Sequence, residues 1–339
     1  MDELHSFAFT AMGGPCSLHL YAQTPDAAAR AAGLAMAEVD RIERRYSRYR
    51  SDSLLSDINR TAERGGRIAV DGETAALLDY AFACHAHSGG LFDISAGVLR
   101  AAWGFTSGRP ATQAELDALC PRVGLDRIRW RAPWLDFGMA GMELDFGGIA
   151  KEYAADRAAT LCRTAGIDHG LVELGGDIHV IGPHPDATPW TIGIRHPRQP
   201  DALLCNIHIA GGGLAGSGDY ARCLEHGGIR YSHLLDPFSG WPVQGGPAAV
   251  NVHADCCMVA GSISTIAMLK GAAGAGWLGG LGVPHLWADG AGRVGGPLVS
   301  RQRRDDFCRA DDAAARKHHR AAKHSPDERR LATDKGLGL

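Results

Sequence analysis

An α/β chain, grading into α+β, is what the sequence predicts: helices and short strands alternate along most of its length. Three observations carry this. Thr24-Pro25-Asp26 is a helix start, with a cap residue, proline at the first position and an acid in the first turn. Ala31, Leu34/Ala35, Val39 and Ile42 then fall on one helical face, which extends the helix to about Arg48. Further on, Leu144-Asp145-Phe146 reads as a strand end, Gly147-Gly148 as a turn, and Ala150 to Ala165 as a helix closed by Gly166.

The remaining elements follow in order. Phe7 to Tyr21 reads as two short strands around a turn at Gly13-Gly14-Pro15. Ser53 to Asn59 reads as a short helical turn, Thr74 to Ser88 as a helix stopped by Gly89-Gly90, and Ala111 to Val123 as helical again. Arg127 to Leu144 looks like strands between loops, and Leu171 to Leu174 is the strand after the central helix. Ile178 to Ile181, Trp190 to Arg195 and Leu204 to Ile209 look like a meander, and Ser262 to Leu269 like a helix. From Gly271 to Gly296 the chain is rich in Gly and Ala, with little periodicity. Arg301 to Leu339 is dense in charge and histidine and poor in large apolar residues, the pattern of a disordered or weakly helical tail. We therefore expect one domain over 1–300, with 271–300 degenerate, followed by the tail at 301–339.

Composition excludes several classes. The 339 residues carry a formal net charge of −3 with mixed signs, so no basic face for nucleic acid is expected. Nine cysteines without a CxxC pair read as idle thiols in a reducing compartment. The N-terminal residues lack a secretory pattern, and no apolar run is long enough for a membrane span. The expectation is a cytoplasmic protein.

Several motifs are chemically suggestive when taken in order. They are Thr10-Ala-Met-Gly-Gly-Pro15, Arg45-Tyr-Ser-Arg-Tyr-Arg-Ser-Asp-Ser53, Ser88-Gly-Gly-Leu-Phe-Asp93 and Trp103-Gly-Phe105. Leu144 to Tyr153, Leu174-Gly-Gly-Asp177, Ser217-Gly-Asp-Tyr220 and Tyr231-Ser-His-Leu-Leu-Asp-Pro237 follow. Each is weak alone. Their order and spacing over residues 7 to 270 resemble the FAD:protein FMN transferase (ApbE) family.

The resemblance implies a single compact domain with mixed sheets and flanking helices. It implies binding of FAD and transfer of its FMN half to a Ser or Thr of an acceptor flavoprotein, releasing AMP with the help of Mg²⁺. By position, Met12, Tyr49, Leu91, Phe92, Asp93, Asp145, Lys151 and Leu235 would contact FAD. The Gly148 carbonyl and Thr265 would hold the metal, together with whatever stands at Gly261.

The residues also speak for themselves. Asp145 can accept hydrogen bonds from a ribose or an adenine, or cap a helix. Lys151, in a first helical turn, opposes the helix dipole unless an anion sits there. Met12 and Tyr49 suit a planar ring but suit a core equally. Histidine as a residue type can exchange a proton near neutrality, so His233 could take one from an attacking hydroxyl or contact a phosphate, or serve as a hydrogen-bonded core histidine.

Three positions depart from the family pattern. Gly14 stands for the usual Thr, Glu152 for the usual Gly after the lysine, and Gly261 for the usual acid of the metal site. Two further readings follow from Gly261: an impaired FAD-binding protein acting as a flavin store or chaperone, or an FAD pyrophosphatase.

Overall fold

The computed structural model describes residues 2–299 apart from 106, 221 and 222, so the tail read at 301–339, with its His318-His319 pair, lies outside the described residues. The chain opens with a hairpin, β1 (Glu3–Ala11) and β2 (Gly14–Ala22), followed by α1 (Pro25–Tyr46), α2 (Leu54–Glu63), β3 (Arg67–Ala69) and α3 (Gly72–Ser88). A 3-10 helix at Ile94–Ala101 leads to α4 (Gln113–Leu119), β4 (Ile128–Arg131), β5 (Trp134–Phe137) and the central helix α5 (Ala150–Thr164). Then come β6 (Gly170–Leu174), β7 (Asp177–Gly182), β8 (Trp190–Arg195), β9 (Leu203–Ile209), β10 (Gly212–Gly218), β11 (Cys223–His226) and β12 (Ile229–Ser232). The described chain ends with β13 (Ala249–Ala254), α6 (Cys257–Leu269), α7 (Gly274–Leu281), β14 (His285–Ala288) and β15 (Val294–Gly295).

Eight strands form one sheet in the order β1-β2-β6-β7-β10-β13-β14-β15, and every pairing in it is antiparallel. With helices packed against it, the class is α+β. The region from 271 to 296, which shows little periodicity in sequence, holds a helix and two strands that extend this sheet at one edge.

The inner layer is legible residue by residue. On β2, Cys16, Leu18, Leu20 and Ala22 alternate inward and are buried. Above them, α1 presents Ala28, Ala31, Ala32, Ala35, Val39 and Ile42, all fully buried, with the Thr24 side chain capping its first turn. α5 answers with Ala154, Ala155, Ala158, Ala159 and Cys162. Two alanine-rich faces let these helices approach closely, so truncating a larger neighbour such as Leu20 to Ala costs about 2–5 kcal/mol.

Four sequence expectations need correction. Residues 144–146 are not a strand: the backbone of Leu144 pairs with the side chain of Asn59, which donates to its carbonyl (3.0 Å) and accepts from its N–H (2.8 Å). One amide side chain thus stands in for a neighbouring strand. The hairpin turn is Met12-Gly13, one residue earlier than expected, because Ala11 pairs with Gly14. β8 and β9 form a separate ribbon instead of continuing a meander from β7, whose free edge is taken by β10. Helix boundaries also move: α2 runs on to Glu63, α3 starts at Gly72 under an Asp71 cap, and α4 is shorter than the pattern over 111–123.

No helix of the described residues is long and apolar enough to cross a membrane.

Candidate functional site

Two hairpin tips and two helices meet at one end of the sheet. The first tip is Met12-Gly13, both residues at positive φ (54° and 75°). The second is Gly175-Gly176 between β6 and β7, at φ 57° and 96°. A two-residue hairpin requires this left-handed backbone, which glycine adopts freely and methionine does not. A methionine held there points to a role for its side chain rather than its backbone. Gly175 N donates to Pro15 O at 3.1 Å, which ties the two tips together.

α5 begins beside the second tip. The bonds that start it run from Ala150 N to Phe146 O (2.8 Å) and from Tyr153 N to Ile149 O (2.9 Å), passing over the carbonyl of Gly148. Lys151, in the first turn, pairs its ammonium with Asp177, the first residue of β7. The other Asp177 oxygen accepts from Gly216 N on β10 at 3.2 Å. Next on β10, Ser217 Oγ lies 2.9 Å from both Ser264 Oγ and Thr265 Oγ1 of α6. Lys151, Asp177, Ser217 and Thr265 are therefore joined by one chain of contacts across α5, β7, β10 and α6.

Gly261 lies one turn before Thr265 on α6 and has no side chain to offer; its carbonyl accepts from Ser264 Oγ at 2.9 Å. Opposite it stands Glu152 of α5, 7 % exposed, with Oε2 buried and without a partner. Hydroxyls and a carboxylate are among the oxygen donors a hard divalent cation takes.

The segment before α5 carries a second cluster. Asp145 Oδ2 accepts from Arg48 at 2.9 Å and pairs with Arg100 at 3.2 Å, while Oδ1 accepts from Gly147 N at 2.8 Å. Arg48 also pairs with Glu143 at 2.8 Å. Tyr49 is 82 % exposed, its ring centroid 5.8 Å from the Arg48 guanidinium carbon. An exposed aromatic face beside a charged cluster is a surface on which a planar group can stack.

Other predicted residues lie outside this chain of contacts. Phe92 is buried, packed under the backbone of Gly148. Asp93 caps the 3-10 helix, accepting from Ser95 N and Ser95 Oγ and, on its second oxygen, from Leu125 N. Leu91 precedes these two and is half-buried. Leu235 is buried in a separate apolar cluster with Trp103, and bridges to Pro242. His233 is half-buried in the loop after β12, two residues before Leu235.

Asp177, Arg48 and Arg100 were not singled out by the sequence reading. Asp177 closes the Leu174-Gly-Gly-Asp motif and Arg48 lies inside the Arg45–Ser53 motif, so both could have been found there. Nothing in the local sequence marks Arg100.

Asp156, His179 and Cys257 form a further cluster, with ligand atoms within 4.8 Å of one another. Both Asp156 oxygens are already engaged, by Cys257 N (2.7 Å), Met258 N (3.0 Å) and His179 Nδ1 (2.7 Å). This carboxylate caps α6, whose own N-cap residue makes no side-chain capping bond. Burial pushes the Cys257 thiol up, away from the thiolate a metal needs.

Comparisons with known proteins give the family and the fold. The model of the ApbE family matches residues 12–282. The FAD:protein FMN transferase of Vibrio cholerae is 31 % identical over 243 residues, 69 % of this chain and 72 % of that protein. That of Treponema pallidum is 30 % identical over 295 residues, 79 % of each. Among solved structures, the ApbE protein of Thermotoga maritima superposes with a TM-score of 0.79 at 27 % identity, over 87 % of this chain and 97 % of that one. The flavin transferase ApbE of Vibrio cholerae does so at 0.75 and 26 %, over 85 % and 94 %. With the family model matching residues 12–282 and the same fold shared over 85 % and 87 % of the chain with the two solved structures, the chain belongs to the ApbE family.

Proposed function

We propose that this chain is an FAD:protein FMN transferase that moves FMN from FAD to a Ser or Thr hydroxyl of an acceptor flavoprotein. The observation that carries this is the convergence of Lys151, Asp177, Ser217 and Thr265 at the two hairpin tips. It is an anion-binding and cation-binding corner in one place, which a pyrophosphate substrate requires.

Phosphoryl transfer needs positioning and charge neutralisation more than covalent chemistry. Asp145, held by Arg48 and Arg100, takes hydrogen bonds from the adenosine half of FAD. Met12, with Tyr49 on the exposed rim, takes the isoalloxazine ring, and Leu91, Phe92, Asp93 and Leu235 line and support the cofactor cleft. Lys151 exchanges part of its pairing with Asp177 for a pyrophosphate oxygen. The acceptor hydroxyl oxygen attacks the phosphorus on the FMN side, the bridging P–O bond breaks, and AMP leaves with the bond electrons. His233 receives the hydroxyl proton. A divalent cation such as Mg²⁺, when bound, supplies neutralisation of the pyrophosphate charge; the Gly148 carbonyl and Thr265 hydroxyl would hold it.

The test uses the protein with FAD, Mg²⁺ and an acceptor carrying a segment of the type Asp-x-x-Ser/Thr-Gly-Ala-Ser/Thr. The expected result is an FMN mass adduct on the acceptor and AMP in solution. Absence of adduct at every Mg²⁺ concentration overturns the proposal. AMP and free FMN formed without acceptor would favour the pyrophosphatase reading instead.

A further inference from the structure

Gly261 and Glu152 face each other across the contact of α6 with α5. An ideal Cβ built on Gly261 would lie 2.6 Å from Glu152 Cγ and 3.1 Å from its Cδ and Oε1. The Glu152 side chain therefore fills the volume that any side chain at position 261 would fill. Position 261, which that side chain packs against, stands one helical turn before Thr265 on the same face of α6.

That carboxylate is poorly satisfied for its burial. Glu152 is 7 % exposed and Oε2 has no hydrogen-bond partner. Oε1 is 3.7 Å from Lys151 Nζ, and that ammonium is already paired with Asp177. The neighbouring acids are taken: Asp177 by Lys151 and Gly216 N, Asp156 by two backbone N–H groups and His179. Among the described residues, the only other buried side-chain polar atom without a partner is His5 Nε2, on β1. A buried carboxylate oxygen without a partner, packed against α6 one turn before Thr265, whose hydroxyl lies 2.9 Å from Ser217 Oγ, is complementary to a hard cation.

We propose that Glu152 supplies the carboxylate of a divalent-cation site shared with Thr265, so that the acid reaches the site from α5 instead of from position 261 of α6. The two departures at Glu152 and Gly261 are then one change: a carboxylate entering from the opposite helix, and a glycine that makes room for it. This rests on the transferase reading for the role of the cation, but not for its binding.

The experiment measures Mn²⁺ binding by electron paramagnetic resonance of the free ion, with Mg²⁺ as competitor, alone and in the presence of FAD. The native protein, Glu152→Gln and the reciprocal double variant E152G/G261D are compared, each checked by circular dichroism for its fold. We expect one Mn²⁺ on the native protein, at least tenfold weaker binding to Glu152→Gln, and recovery to within about threefold in the double variant. Equal binding by Glu152→Gln and the native protein, or no binding by the native protein, overturns the proposal; so does a folded double variant that binds no better than Glu152→Gln. FMN transfer is assayed on the same preparations. A native protein that holds Mn²⁺ through Glu152 but transfers no FMN leaves this inference standing and sinks the transferase reading. Transfer by a native protein whose Glu152→Gln variant binds Mn²⁺ unchanged does the reverse.

Discussion

The packing of Glu152 against Gly261 makes a prediction that needs no ligand. Carbon atoms in contact sit about 3.5–4.0 Å apart. A Cβ on Gly261 would lie 2.6 Å from Glu152 Cγ, roughly 1 Å too close. Glu152 is itself buried, so Gly261→Ala forces an overpacked core, which costs about 1–3 kcal/mol. The same substitution in a helix interior gains about 1 kcal/mol from reduced backbone freedom. The single variant should thus lose roughly 0–2 kcal/mol, while in a Glu152→Ala background it should gain about 1 kcal/mol. The coupling between the two positions is then about 1–3 kcal/mol, against the few tenths expected of independent sites. Urea unfolding of the four proteins measures it, with melting shifts of about 2–4 °C per kcal/mol as a second readout. Additivity within about 0.5 kcal/mol would refute the claim that these two residues compete for one volume.

Three other outcomes follow from the same structure. Met12 sits at φ 54°, so Met12→Gly relieves about 1 kcal/mol of backbone strain. Its melting temperature should hold or rise while FAD binding, followed by flavin fluorescence, weakens; a clear loss of stability would contradict this. Glu73 has its carboxyl held below the ordinary carboxylate range, first by the Arg41 hydrogen bond and then by Tyr153, against the opposing effect of burial. Its contribution is complete above the unfolded value and is lost as pH falls through the lower folded value, so the stability gap between native protein and Glu73→Gln should close on acidification. A gap that widens below about pH 4 would be the wrong sign. Asp156→Asn weakens the cap of α6 and should cost about 1–2 kcal/mol in urea unfolding while leaving Mn²⁺ binding unchanged. A loss of Mn²⁺ affinity there would move the cation site toward His179 and Cys257.

How far the fold could be read from the sequence depended on where each segment's partners lie. α1 and α5 were legible because their signals are local: Thr24 accepts from Ala27 N to cap α1, and the buried alanines of both helices recur at helical spacing. The stretch from Leu144 to Phe146 was not, because its pairing partner is the Asn59 side chain, 85 residues away. The segments after Gly271 lack periodicity, yet β14 is ordered by lying beside β13, where Leu286 and Ala288 are buried. In the candidate site, Lys151 and Thr265 were named from motifs. Arg100 was missed because only its approach to Asp145 gives it meaning.

The same distinction changes how Gly261 should be read. A motif compares side chains position by position along one chain, and at position 261 that comparison finds a missing acid. A binding site needs a carboxylate oxygen at a place in space, whichever helix delivers it. Helix α5 approaches α6 closely enough that a longer side chain, at Glu152, reaches the face that a short one at position 261 would occupy. Loss and gain then belong to one interface, and testing either residue alone mixes chemistry with packing. Restoring an acid at Gly261 while Glu152 remains would place two carboxylates in a volume that holds one. Lower activity in Gly261→Asp would therefore report a steric and electrostatic clash, and only the reciprocal exchange asks which helix holds the cation.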